Sequence, residues 1–94
     1  MRYVKVAWSH DLADEPVLYL SELGEDGYEK RKMQFFRDGK VEWADKFHET
    51  ASVGLSEVAF PLDLREISGQ PEFDAAEIAP EEFEREWVKA RSIK

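Results

Sequence analysis

The sequence predicts an α+β fold: an antiparallel β-meander sheet of about four strands, with a short helix and a C-terminal helix packed on one face. The segment 28–43 carries a hairpin signature. Apolar residues alternate with a strand period early in the chain and recur with a helix period at its end. Strand-like segments come first and no crossover helix separates them, an order that suits antiparallel pairing. The 94 residues are expected to form one domain, 1–94.

Residues 2–8 alternate, with Val4, Val6 and Trp8 pointing one way and Tyr3 and Lys5 the other, so they read as a first strand. Ser9 to Pro16 is a polar loop, and Pro16 holds Glu15 extended. Val17 to Leu23 is apolar on both sides in its first half. A central strand covered on both faces is favoured, because the Gly24-Glu25-Asp26-Gly27 turn follows; a short helix is the alternative.

The hairpin fixes its own register. A two-residue loop would place Phe35 opposite Glu42 and Gln34 opposite Trp43. A three-residue loop, Arg37-Asp38-Gly39 with Gly39 left-handed, pairs Phe35 with Val41 and Met33 with Trp43. Phe36/Lys40 and Gln34/Glu42 then fall on a second, mostly polar face, expected to be solvated. One apolar and one polar face pin a strand pair, because a slip of one residue exchanges them.

Residues 45–60 lack a clean period and read as a long loop, with Glu57 to Phe60 as a short edge strand. Pro61 to Gly69 reads as a short helix begun by proline and ended by a left-handed glycine, with Leu64, Ile67 and Pro71 toward the core. Gln70 to Ala79 reads as a connector anchored by Phe73 and Ile78. Pro80 to Arg91 is the clearest helix. Glu81 and Glu82 complement the positive end of its dipole, Lys89 and Arg91 the negative end, and Phe83, Trp87 and Ala90 form the buried stripe.

Composition narrows the function. Thirteen Lys and Arg against twenty-one Asp and Glu leave a net charge of −8, which disfavours free nucleic acid as a ligand and suits a basic protein partner. No cysteine is present, which removes disulfides and thiolate metal sites. The first residues enter a strand pattern without the apolar stretch of a signal peptide, and no run approaches the ~18 apolar residues of a membrane span, so a cytoplasmic protein is expected.

Catalytic and metal motifs are weak. His10 lies beside Asp11, Asp14 and Glu15, but without the alternating ligand spacing of a calcium loop, so a solvated acidic loop is expected. His48 adjoins Glu49, but neighbouring side chains in a strand diverge. No phosphate-binding glycine loop or nucleophile elbow occurs. The expectation is no enzyme, no cofactor and no metal. The leading functional expectation is a small acidic protein-binding module of inhibitor or immunity type, with Asp74, Glu77, Glu81, Glu82, Glu84 and Glu86 as contact surface. A second expectation is a small-ligand pocket or enzyme between sheet and C-terminal helix, lined by Trp8, Tyr19, Trp43 and His10 or His48. A third is nucleic-acid binding through Lys30, Arg31, Lys32, Arg37 and Lys40. An uncovered Phe36/Tyr3 face or an exposed edge strand could support a homodimer.

Several stretches resemble a known family. These are Arg2-Tyr3-Val4-Lys5-Val6 with Trp8 and His10, Ser21-Glu22-Leu23 with Gly27-Tyr28-Glu29 and Arg31-Lys32, and Phe36-Arg37-Asp38-Gly39. Pro71-Glu72-Phe73 and Glu81-Glu82-Phe83 with Trp87 join them. Together they are similar to a family of uncharacterised small bacterial proteins, over nearly the whole chain. The resemblance implies a small stand-alone bacterial protein and supplies no catalytic residue. Lys30 departs from a more apolar family position, which a bulge beside Arg31 would accommodate.

Overall fold

The computed structural model describes residues 1–12, 14–45, 47–49 and 64–92. Among these residues six strands form one antiparallel sheet: β1 (Arg2–Trp8), β2 (Pro16–Leu23), β3 (Glu29–Phe36), β4 (Val41–Asp45), β5 (His48–Glu49) and β6 (Phe73–Glu77). Their spatial order is β5-β4-β3-β2-β1-β6. The expected meander is therefore present and is extended at both ends. Two helices accompany the sheet among the described residues, α1 (Arg65–Ser68) and α2 (Pro80–Ser92).

The β3–β4 register is the one that the three-residue loop dictates: Met33 faces Trp43, Gln34 faces Glu42 and Phe35 faces Val41. Gly39 sits at φ 93°. Its N–H donates to the Phe36 carbonyl at 3.0 Å, and the Phe36 N–H donates to the Lys40 carbonyl at 2.9 Å. The Asp38 carboxylate accepts from the Lys40 N–H at 2.9 Å, closing the turn. Between β2 and β3, Glu22 pairs with Arg31 but Leu23 with Glu29, so Lys30 occupies a bulge.

The two faces of β2 are both covered, as a central strand requires. On one side Leu20 and Met33 pack against Phe83, Trp87 and Ala90 of α2, with Tyr3, Phe35, Val41, Trp43 and Ile78 around them. On the other side Val4, Val6 and Leu23 form a second cluster with Tyr19, Leu64, Ile67, Phe73 and Ala75. The alternation of β1 thus feeds two cores, through Tyr3 on one face and Val4 and Val6 on the other.

Four expectations are corrected. The connector 70–79 holds β6, an edge strand paired to β1 from Val4↔Glu77 to Trp8↔Phe73. Its Phe-Asp-Ala-Ala-Glu sequence has little strand propensity, and its pairing with β1 is long-range. The 45–60 loop reading also loses His48–Glu49, which pairs with β4. Gly69 lies at φ −65°, in the ordinary right-handed region, and Pro71 is exposed. The α1 stop needs no left-handed residue, because the Gly69 N–H simply continues the helical pattern to the Arg65 carbonyl at 2.8 Å. The Glu57 to Phe60 strand and the Pro61 helix start lie outside the described residues.

Candidate interaction site

Beside the second apolar cluster, the sheet face opposite α2 carries buried polar residues. Ser21, Glu29, Gln34 and Glu42 are 1%, 5%, 9% and 7% exposed. The sequence pattern places Gln34 and Glu42 on a solvated outer face, and the structure corrects that. Alternation decides which side of a strand a residue occupies, whereas distant chain decides whether that side is wet. Most of these buried groups are satisfied. The Ser21 hydroxyl donates to Glu29 Oε2 at 2.8 Å, Lys32 Nζ approaches Glu29 at 3.6 Å, and Lys40 Nζ approaches Glu42 at 3.5 Å. The Gln34 side-chain amide differs, because it makes no hydrogen bond among the described residues. Burial of an amide without a partner costs about 1–3 kcal/mol.

Gln34 opens into a cavity of about 250 Å³, lined among the described residues by Asp14, Glu15, Pro16, Tyr19, Gln34 and Phe36. Tyr19 and Gln34 are direct partners across β2 and β3, and the Pro16 end of β2 lies opposite Phe36. Burial, and then the nearby Glu15 charge, push the Tyr19 phenol above its ordinary pKa, so it stays a neutral donor. Lys32 Nζ lies 5.5 Å from the centre of the Tyr19 ring, and Lys40 Nζ 4.8 Å from that of Phe36. Both rings therefore already sit at cation–π distance from ammonium groups.

His10 pins the loop that forms the cavity rim. Its Nδ1 accepts the Leu12 N–H at 2.9 Å, so Nε2 carries the proton and donates to the Pro16 carbonyl at 2.8 Å. The imidazole lies 4.2 Å from the Trp8 ring, which stacks on Phe73 at 5.9 Å. Arg37 donates to the His10 carbonyl. Both ring nitrogens are thus spent on holding the loop. Between sheet and α2, where the sequence reading puts a pocket, Leu20, Met33, Phe83, Trp87 and Ala90 pack against one another. Trp43 lies there too, edge-on to Trp87 at 5.3 Å, while Tyr19 lines the cavity on the other face. The side chain of His48 lies outside the described residues.

The charged side chains divide sharply. Arg31 clamps α2 to the sheet. Its guanidinium makes a two-pronged bond to Glu22 at 2.8 and 2.7 Å, reaches Glu84 at 2.9 Å, and stands 4.9 and 5.0 Å from the Phe83 and Trp87 ring centres. The Arg31 hydrogen bonds hold both carboxyls below the usual range, against the opposing pull of burial. Desolvation and the Glu22 carboxylate push the Tyr3 phenol up. The other hairpin cations are engaged as well: Lys30 with Asp26 at 3.5 Å, Lys32 with Glu29, Lys40 with Glu42, and Arg37 with the His10 carbonyl.

The six expected contact carboxylates do not form one patch. Glu84 turns inward to Arg31, Glu77 pairs with Arg2 at 3.0 Å, and Glu86 meets Lys89 at 3.4 Å. Asp74 and Glu77 project to opposite faces of β6, being three residues apart in a strand. Glu81 is exposed and Glu82 half-buried. A different acidic group gathers at the cavity end of the sheet. The Ser9 N–H donates to the Glu72 carbonyl at 2.8 Å, so Glu72 and Asp74 lie at the same end of the sheet as the loop that carries Asp11, Asp14 and Glu15. All five are exposed and form no ion pair among the described residues. Their signal in the sequence was the acidic run 11–15; its neighbours at 72–74 arrive only through the β1–β6 pairing. Among the described residues no three acidic or histidine side chains are placed to hold a metal ion.

A six-stranded antiparallel sheet backed by a C-terminal helix, with a polar second face, defines an α+β protein. The chain belongs to the DUF6881 family, a domain of unknown function whose model matches residues 2–92. No curated protein matches it, and no solved structure matches it. No helix among the described residues is long and apolar enough to cross a membrane.

Proposed function

We propose that this protein is a small acidic, non-enzymatic binding module of the bacterial cytoplasm, which engages a basic protein partner and blocks or regulates it in the manner of an inhibitor or immunity protein. The observation that supports this is the division of charge. Lys30, Arg31, Lys32 and Lys40 of the hairpin each meet a carboxylate of this chain, while Asp11, Asp14, Glu15, Glu72 and Asp74 are exposed and form no ion pair among the described residues. Unpaired carboxylates gathered in one place produce a directed negative field, which speeds association with a basic surface and selects against acidic ones. Asp74 belongs to this surface and to the expected one, whereas α2 begins beside Tyr3, at the other end of β1. Nucleic acid fits less well, because the net charge is −8 and Lys30, Arg31, Lys32 and Lys40 each stand beside a carboxylate of this chain.

Affinity capture from the native host tests the reading. The wild-type chain is compared with a charge-reversed Asp11→Lys, Asp14→Lys, Asp74→Lys variant. The expected result is a basic protein retained by the wild type at low salt, weakened by moderate salt and lost by the variant. A partner indifferent to both charge reversal and salt, or the absence of any specific partner, refutes it.

A further inference from the structure

We infer that the cavity beside Gln34 takes one cationic side chain of that partner, an arginine guanidinium or a lysine ammonium. The inference rests on the reading of the protein as a binder of basic proteins and adds the place where a single partner residue is held.

Gln34 is the first reason. An amide nine-tenths buried and without a hydrogen bond among the described residues is costly, and Gln34 lines the cavity. The lining chemistry gives the sign of the guest. Asp14 and Glu15 bring to the wall two carboxylates with no ion pair among the described residues, and Tyr19 and Phe36 bring two aromatic rings. An anion would confront both carboxylates, and an apolar guest would leave them and Gln34 unpaired. A cation pairs with the carboxylates, stacks on the rings and donates to the Gln34 oxygen at once.

Two cations of this chain stand nearby, Lys32 over Tyr19 and Lys40 over Phe36. They pair with Glu29 and Glu42 respectively, so neither neutralises Asp14 or Glu15. Size agrees. About 250 Å³ falls below the roughly 300–1,000 Å³ of sites for drug-sized ligands and suits one side chain. Arginine is favoured over lysine, since its planar group offers five donors and can stack on a ring while it bonds a carboxylate.

The test is a nuclear magnetic resonance titration of the full chain with N-acetyl-arginine amide, N-acetyl-lysine amide and N-acetyl-norleucine amide. The arginine probe is expected to shift the Gln34 side-chain amide and the Tyr19 and Phe36 rings saturably, the lysine probe more weakly, and the norleucine probe not at all. Gln34→Met keeps the length of the side chain and removes the acceptor; it is expected to weaken the arginine probe by about tenfold, in line with one lost hydrogen bond to a charged group. Equal response to norleucine, shifts confined to other residues, or unchanged affinity in a Gln34→Met chain that melts like the wild type overturns the inference. In the capture experiment, a basic partner lost on charge reversal but retained by Gln34→Met overturns the cavity site alone. Arginine binding at Gln34 with no basic protein captured overturns the proposed function alone.

Discussion

Replacing Arg31 by methionine removes the clamp while preserving most of the packed stem, and the structure sets the size of the effect. The Glu22 side chain is 10% exposed, Arg31 20% and Glu84 50%. Breaking a fully buried ion pair costs about 3–5 kcal/mol, because the remaining charge is stranded, while an exposed pair contributes about 0–1 kcal/mol. The Glu22 arm lies near the first limit and the Glu84 arm near the second. Solvent reaching Arg31 moderates both, so a loss of about 2–4 kcal/mol at neutral pH is expected. Against the usual 5–15 kcal/mol that is a large share of stability. The pH dependence makes the test specific. Both carboxyls are depressed in the folded chain, so their contribution is full above the unfolded carboxylate pKa of about 4.3 and fades as pH falls through the folded values. In Arg31→Met the burial of Glu22 is no longer outweighed, and its carboxyl is pushed up instead. The gap between wild type and variant should therefore be widest near pH 7 and narrow steadily on acidification. Urea denaturation from pH 3 to pH 7 measures it. Two parallel stability curves would refute the clamp, as would a double variant Arg31→Met, Glu22→Gln no more stable than Arg31→Met alone.

Two further substitutions probe the helix-side core and the hairpin. Trp87, 6% exposed and packed on Trp43 and Phe83, should cost about 3–5 kcal/mol as Trp87→Ala and lower the melting temperature by about 12 °C or more, measured by circular dichroism; a melt that hardly moves places the indole elsewhere. Gly39→Ala should cost about 1–2 kcal/mol from backbone conformation alone, since an added Cβ meets nothing within 4 Å but φ is 93°; a stability equal to wild type in chemical denaturation would mean that the turn has another shape.

The hairpin was legible because its information is local. The period of two, the glycine at the third loop position and the need to keep Met33, Phe35, Val41 and Trp43 on one face leave a single register. The α2 stripe was legible for the same reason, being written at a spacing of 3.6 residues. The bulge at Lys30 showed as a charge in a strand position. The candidate site was much less legible. Asp14 and Glu15 were visible only as a solvated acidic loop, and Gln34 only as a polar residue on an outer face.

By itself, then, the sequence determined the strand pair, the tail helix and the excess of negative charge, since each depends on neighbours in the chain or on composition. Tertiary structure alone decided the rest. It paired β6 with β1, turned Arg31 from a surface cation into a clamp on a glutamate 53 residues away, and buried the polar face that holds Gln34. Each of these joins groups far apart in sequence, and the free energy that rewards the meeting exists only once the chain has closed the loop between them.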